Sequence, residues 1–255
     1  DPLTGELKYA GCHAWDAGKV MLDTQVNAGD PVGPNADQRR VYYGREDSTG
    51  QVPYTRELFK ATTNATDNAI RFDLWKGLGL GDTFDPADTT AIAAAQTEAN
   101  TVIANTFAVK TAIVDVKNPD GTTTPTTIRY VLGDVFHSNP LVVGNPPNVQ
   151  YYSLNLNGYQ DFADRHRLRR KMLLVGANDG MLHAFDAGMY DRDPAKFNDK
   201  FDTGTGKEIF GYIPRGVLPT VALIGDPVAT NHQWSVDGTV TVADVFIDPK
   251  NGGSF

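Results

Sequence analysis

Along most of this chain, apolar residues come in short runs bounded by turn-forming residues, a spacing that predicts strands more often than helices. The clearest stretch is residues 171–187, KMLLVGANDGMLHAFDA. Met172, Leu173, Leu174 and Val175 form a continuous apolar run, as expected of a strand covered on both faces. Asn178, Asp179 and Gly180 tolerate positive φ, which a hairpin turn requires. Residues 181–187 then return as a second strand. Thr205, Gly206, Lys207 and Glu208 form another turn, and residues 209–214 (IFGYIP) read as a third strand. Further short strands are expected at residues 7–9, 41–43, 141–143 and 240–247. A hairpin is expected at 112–117 and 126–132 around Asp120-Gly121.

Spacings of three and four residues mark a helix over residues 85–110, where Ile92, Ala95, Ala99, Val102, Ile103 and Phe107 share a face. Asp85 is placed at its N-cap, Pro86 at its first position and Asp88 three after the cap. The polar face carries Gln96, Glu98 and Asn100 and no Lys or Arg before Lys110, so a packed helix is expected, not one lying on a membrane. A shorter helix is expected over residues 157–170, with Tyr159, Phe162, Ala163 and His166 on one face. Its end is basic (Arg165, Arg167, Arg169, Arg170, then Lys171), which complements a helix C-terminus. Residues 215–224 read as helical or extended, broken by Pro219. Residues 14–18 read as a turn beside a buried aromatic, 27–37 as loop, and 236–239 and 248–254 as turns. Residues 186–206 form an acidic loop with Asp191, Asp193, Asp199 and Asp202, too long for a plain turn. Strand, Asn-Asp-Gly turn, strand, Thr-Gly turn and aromatic strand together look like one blade of a β-propeller. The strand at 240–247 has no hairpin partner before Phe255, so the chain reads as a fragment.

Composition narrows the function. The 255 residues suffice for one large domain or two small ones. No apolar run approaches the roughly 18 residues needed to span a bilayer. The formal net charge of -8 argues against a nucleic-acid partner. Cys12 is the only cysteine, so no internal disulfide, cysteine zinc cluster or haem attachment is available; it is a buried thiol or pairs outside the segment. Asp134, His137 and Ser138 have the residue types of a hydrolase triad, but no Gly-x-Ser-x-Gly elbow exists, and the simpler reading is that Asp134 and His137 tie a loop to backbone. The five histidines lack metal-site spacing, and His183 reads as a hydrogen-bonded strand histidine. Asp30, Asp37 and the acids of the 186–206 loop lack the D-x-[DN]-x-[DN]-G spacing of a calcium loop. Asn64-Ala65-Thr66 is a formal glycosylation sequon. No phosphate loop or dinucleotide fingerprint occurs. No catalytic, cofactor-binding or metal-binding residue is assigned.

Five phrases resemble the C-terminal domain of the PilC/PilY family of type IV pilus assembly factors and tip adhesins. They are TGELKY and WDAG within residues 4–18, LGDVFHSNPLVVGNP at 132–146, LLVGANDGMLHAFDA at 173–187, EIFGYIPRGVLP at 208–219 and VDGTVTVADVFI at 236–247. The resemblance implies a mainly β fold: a modified quinoprotein-like β-propeller, of which residues 1–255 would be one incomplete domain holding the first blades. Residues 82–127 would be a helix-plus-hairpin insertion. It also implies a non-enzymatic protein at the pilus tip, outside the cell, with minor pilins and a host or abiotic surface as partners. Some family members carry a calcium loop in a later blade, and no residue here matches it. The insertion helix and the 186–206 loop are the expected contact surfaces. The other reading is a fragment of a quinoprotein dehydrogenase, since Asp179 to Ala187 with Thr205 and Gly206 fits that blade pattern. The phrase is not repeated, and a quinone site would want calcium ligands and stacking tryptophans, where only Trp15, Trp75 and Trp234 are present.

Overall fold

The computed structural model describes residues 14–25, 39–46, 54–60, 68–191, 200–224 and 232–245. The expected strand at 7–9, Cys12, the 27–37 loop with Asp30 and Asp37, the sequon at 64–66, Asp193, Asp199, and everything beyond Val245 lie outside the described residues.

Asp16 opens a helix where a turn was expected. Its carboxylate accepts the Lys19 amide at 2.9 Å and caps helix α1 (Ala17–Thr24). Strands β1 (Val41–Glu46) and β2 (Tyr54–Leu58) come next, then helices α2 (Asn68–Gly77) and α3 (Thr89–Phe107). The amphipathic helix is present, but its cap is Asp88, which accepts the Ala91 amide. Asp85 instead accepts the amide of Ala87 in the preceding turn, so Pro86 lies ahead of the helix. Strands β3 (Lys110–Lys117) and β4 (Thr123–Tyr130) make the expected hairpin, with Gly121 at φ 86 in its turn. It is longer than expected because Thr123, Thr124 and Pro125 join the ladder.

Beyond β5 (Leu141–Val143), the short helix α4 (Val149–Leu154) was not expected; Asn148 caps it, and Asn155 ends it in a left-handed conformation. Helix α5 (Tyr159–His166) is shorter than the 157–170 expectation, because Asn157 and Gly158 are left-handed too. Strands β6 (Lys171–Gly176) and β7 (Leu182–Gly188) form the central hairpin. The Asn-Asp-Gly turn between them has Gly180 at φ 91. The acidic loop holds a small ribbon of β8 (Tyr190–Asp191) and β9 (Lys200–Phe201). Strand β10 (Glu208–Ile213) starts one residue early, so Glu208 is a strand residue. Pro219 breaks nothing: it lies in the first turn of helix α6 (Leu218–Ile224), where a missing N–H costs nothing. Residues 240–245 are not a strand. Among the described residues no ladder partner joins them, and Tyr159 donates to Asp244 within them.

Six strands form one sheet in the order β2-β1-β10-β7-β6-β5. Strands β5, β6, β7 and β10 make an antiparallel meander, as in a propeller blade, but β1 joins β10 in parallel. Of the described residues 34% are helical and 28% lie in strands, with no closed barrel or propeller. The expectation of a mainly β fold is thus corrected to a mixed one: residues 68–107 supply helices that cover the sheet. Register places Val41, Tyr43, Gly211, Ile213, His183, Phe185, Val175 and Leu173 on one face. Toward β1 and β10 this face packs under Leu74 and Trp75 of α2, Ala99 and Phe107 of α3, and Leu218 of α6. Toward β6 and β7, Val175 and Phe185 pack with Met21 of α1 and Val131. Tyr42, Tyr212, Leu182, Phe210, Leu174 and Met172, on the other face, are half-buried.

Candidate functional site

Four charged side chains sit on the covered face between the two apolar clusters. Arg39 donates through Nε to Glu208 Oε2 at 2.6 Å and through a terminal nitrogen to Oε1 at 3.0 Å. His183 Nδ1 meets Glu208 Oε1 at 2.7 Å, and its Nε2 lies 3.1 Å from both oxygens of Asp179. Positive and negative groups alternate, so the set is neutral overall. Gln25 clamps the backbone of Glu208, donating to its carbonyl and accepting from its amide. Asp179 also accepts the amides of Gly133 and Met181. Gly211 leaves space for the Glu208 carboxylate, whose Oε1 would lie 3.3 Å from any added Cβ.

Burial opposes every one of these charges, and the partners override it. Burial lowers the affinity of His183 for a proton, yet the carboxylates of Asp179 and Glu208 raise its pKa to about 9. Burial pushes Glu208 up, but Arg39 and His183 bring it down to about 2. Asp179 is held below the usual carboxylate range by His183 despite its own burial. His183 is therefore an imidazolium donating from both nitrogens. The side chains of Arg39, Glu208 and His183 are 1%, 0% and 0% exposed, so no substrate reaches them. The cluster is a structural bolt, and the hydrogen-bonded reading of His183 is borne out.

Asp179 links this bolt to the surface. Its neighbour Asn178 donates from its amide to the Asp134 carbonyl and from its side chain to the Asp134 carboxylate at 2.7 Å, and accepts the Ser235 amide. Three segments distant in sequence converge here: the Asn-Asp-Gly turn, the 133–140 loop and residues 232–239. They line a cleft of about 440 Å³ with Lys110, Ile128 and Tyr130 of the hairpin and Leu223 and Ile224 of α6. Burial lowers the pKa of Lys110, with Asp179 acting against it. Beside the cleft, Phe136 is 64% and Trp234 57% exposed, with ring centroids 5.2 Å apart. His137 and His232 pack on Trp234 at 5.8 and 4.6 Å. Asp237 fixes His137 at 2.7 Å and Asp134 fixes His232 at 3.0 Å.

Asp134, His137 and Ser138 do not meet as a triad. Asp134 bonds Asn178 and His232, His137 bonds Asp237, and buried Ser138 accepts the Gly176 amide at 2.9 Å. The loop is tied down, with the His137 and Asp134 side chains bonding other side chains, while the Asp134 carbonyl accepts the Asn178 amide and the Ser138 hydroxyl accepts the Gly176 amide. Among the described residues, no three His, Cys, Asp or Glu side chains are grouped to hold a metal. The three tryptophans are in separate places. Trp75 is core, Trp234 is on the surface, and Trp15 donates to the Thr203 carbonyl and lies against Gly206. In the acidic loop, Asp202 is used internally, accepting the Met189 and Gly204 amides. Helix α3 contributes Ala95, Ala99, Val102, Ile103 and Phe107 to the core. Sequence reasoning missed Arg39 and misread Glu208. Nothing local marks either, because their partner lies 169 positions away.

Curated relatives match part of this chain. A type IV pilus biogenesis factor PilY1 homolog of Xylella fastidiosa is 39% identical over 125 residues, which is 48% of this chain and 9% of the relative. This chain is PilY1-like over about half of its length. The type IV pilus biogenesis factor PilY1 of Pseudomonas aeruginosa is 31% identical over 125 residues, 47% of this chain and 9% of its own length. A second PilY1 homolog of X. fastidiosa is 32% identical, over 46% of this chain and 7% of its own. The matched part is thus less than a tenth of each relative. No family profile and no solved structure matches the chain. The PilY1-like resemblance read from the quoted phrases is borne out. The relatives' names describe biogenesis factors. Among the described residues of this PilY1-like chain, no helix is long and apolar enough to cross a membrane.

Proposed function

We propose that this chain is a non-catalytic part of a type IV pilus biogenesis factor that acts at the pilus tip, outside the cell. It docks on minor pilins and contacts a host or abiotic surface. The observation that carries this reading is the similarity to PilY1 proteins of two genera, each named for pilus biogenesis. Physical features support it. The buried charges are sealed from substrate, so the most polar cluster of the interior holds the fold together. Among the described residues, strands β2 and β5 end the sheet with unpaired edges, which a partner strand can extend. We read the β5-β6-β7-β10 meander as one blade of a propeller, with the half-buried face of Met172, Leu174 and Phe210 as the side a further blade covers.

Deleting the gene and counting surface pili by electron microscopy tests this, with the wild-type gene restored as control. Loss of pili that the restored gene reverses is expected. Normal pilus number with lost attachment removes the assembly role and keeps the surface contact. No change in either overturns the reading.

A further inference from the structure

We propose that the cleft at the Asn-Asp-Gly turn, with the Phe136–Trp234 platform beside it, binds a neutral oligosaccharide. This gives the surface-contact role a ligand class and rests on that reading for its biological meaning, though not for its chemistry.

The two large aromatic rings are more than half exposed, and a chain that buries aromatics for stability leaves such rings outside at a cost. The apolar C–H face of a pyranose ring fits the electron-rich face of an indole, as other weak donors do. Hydroxyls around that ring need donors and acceptors held in place. Asp134, Asp237, His137 and His232 provide them in two fixed carboxylate–imidazole pairs at 3.0 and 2.7 Å. Each imidazole uses one ring nitrogen for its carboxylate, and the second can meet a hydroxyl. Asn139 and Thr239, 3.3 Å apart, extend the polar rim. The cleft's volume of about 440 Å³ lies inside the roughly 300–1,000 Å³ range of small-ligand sites. Its walls mix apolar Ile128, Tyr130 and Leu223 with polar Lys110, Asn178 and Asp179, the mixture a sugar's two kinds of surface demand.

Two competing occupants fit less well. A flat protein surface on the platform would strip water from both carboxylate–imidazole pairs without replacing it, and such desolvation is costly. Hydroxyls replace that water group for group. An acidic sugar would meet the carboxylates of Asp134 and Asp237 at the rim, with Lys110 the only lysine or arginine among the described residues of the cleft wall. A neutral sugar avoids the repulsion.

The test titrates the purified chain with lactose, cellobiose and chitobiose, read by tryptophan fluorescence and by calorimetry. Trp75 is 1% exposed, and half-buried Trp15 is held away from the cleft by its hydrogen bond to the Thr203 carbonyl, so a change in signal reports mainly on the exposed Trp234. Saturable binding of at least one probe is expected, weakened about tenfold or more in Trp234→Ala and retained in Trp234→Phe. Phe136→Ala serves as the second variant, and unchanged far-UV circular dichroism checks that each is folded. No saturable response to any probe, or binding unchanged in both alanine variants, overturns the proposal. Equal binding of sialyllactose and lactose overturns its neutral-sugar part. Loss of piliation in cells carrying Trp234→Ala, with sugar binding intact in vitro, assigns the rings to a protein contact and overturns it too. The sugar titration uses no pili, so its failure and the failure of the biogenesis reading are separate results.

Discussion

Glu208 carries two cations in the middle of the fold. Substituting Gln leaves Arg39 and His183 buried with one carboxylate, Asp179, in place of two. Breaking a buried pair from one side costs about 3–5 kcal/mol. Glu208→Gln is therefore expected to lower the unfolding free energy in urea melts by that much, and a stability equal to wild type would contradict the bolt. The same residues set a pH window. The pKa of His183 rises from 6.5 to about 9, so its contribution is complete below pH 6.5 and is lost as pH climbs through 9. Glu208 falls from 4.5 to about 2, so its contribution is complete above pH 4.5 and is lost as pH drops toward 2. Thermal melting measured across pH should plateau between 4.5 and 6.5 and decline on both sides. A melting temperature that keeps rising from pH 6.5 to 9 would refute the assignment of His183 as an imidazolium. At this scale the sequence was legible where partners are near: the Asp120 turn, the capping carboxylates and the Asn-Asp-Gly turn all act within a few positions. It was silent on Arg39, because a charge whose partner is 169 residues off looks like any surface arginine.

Elements divide in the same way. Helix α3 was readable because its apolar spacing survives wherever it docks; its cap shifted, since Asp85 and Asp88 are both competent caps and the second wins the helix, and its end falls at Phe107 because Lys110 already opens β3. Residues 240–245 were misread because alternating valines favour a strand only if a ladder partner is there. The β3–β4 hairpin was legible from its turn, but its isolation was not. Every residue of β4 is exposed, as is Ile113 of β3 at 76%. Two strands alone are marginal in water, so the base of the hairpin, where Val131 is buried with Met21, anchors the projection. Replacing residues 113–127 with Asn-Gly keeps the Ala112–Ile128 pair as the closing rung. That variant is expected to change stability by less than about 1 kcal/mol in urea melts, since exposed segments contribute little. A larger loss would show that the tip packs on the body.

At the scale of the whole molecule, the blade-like meander was visible in the sequence and its surroundings were not. Turn chemistry announces which strands succeed one another, but not that β1 returns beside β10 across more than 160 positions of chain. That parallel pairing makes one mixed sheet of six strands, with α1, α2, α3 and α6 over one face, while Tyr42, Tyr212, Phe210, Leu174 and Met172 on the opposite face are half-buried. The cleft was hidden for a similar reason. Its walls come from the hairpin, the 133–140 loop, the central turn, α6 and the 232–239 segment, and only folding brings these five together.

The charged bolt also has a direction in time. A chain made from its N-terminus produces Arg39 early and His183 much later, and Glu208 emerges after 169 positions have passed since Arg39. Until then the middle of the sheet would hold a guanidinium without its counter-ion, and long-range closure of this kind is slow in any case. The bolt thus works as a length gauge. Nascent chains that stop short of Glu208 gain little by closing the sheet, and the fold commits only when the strand that carries this carboxylate arrives.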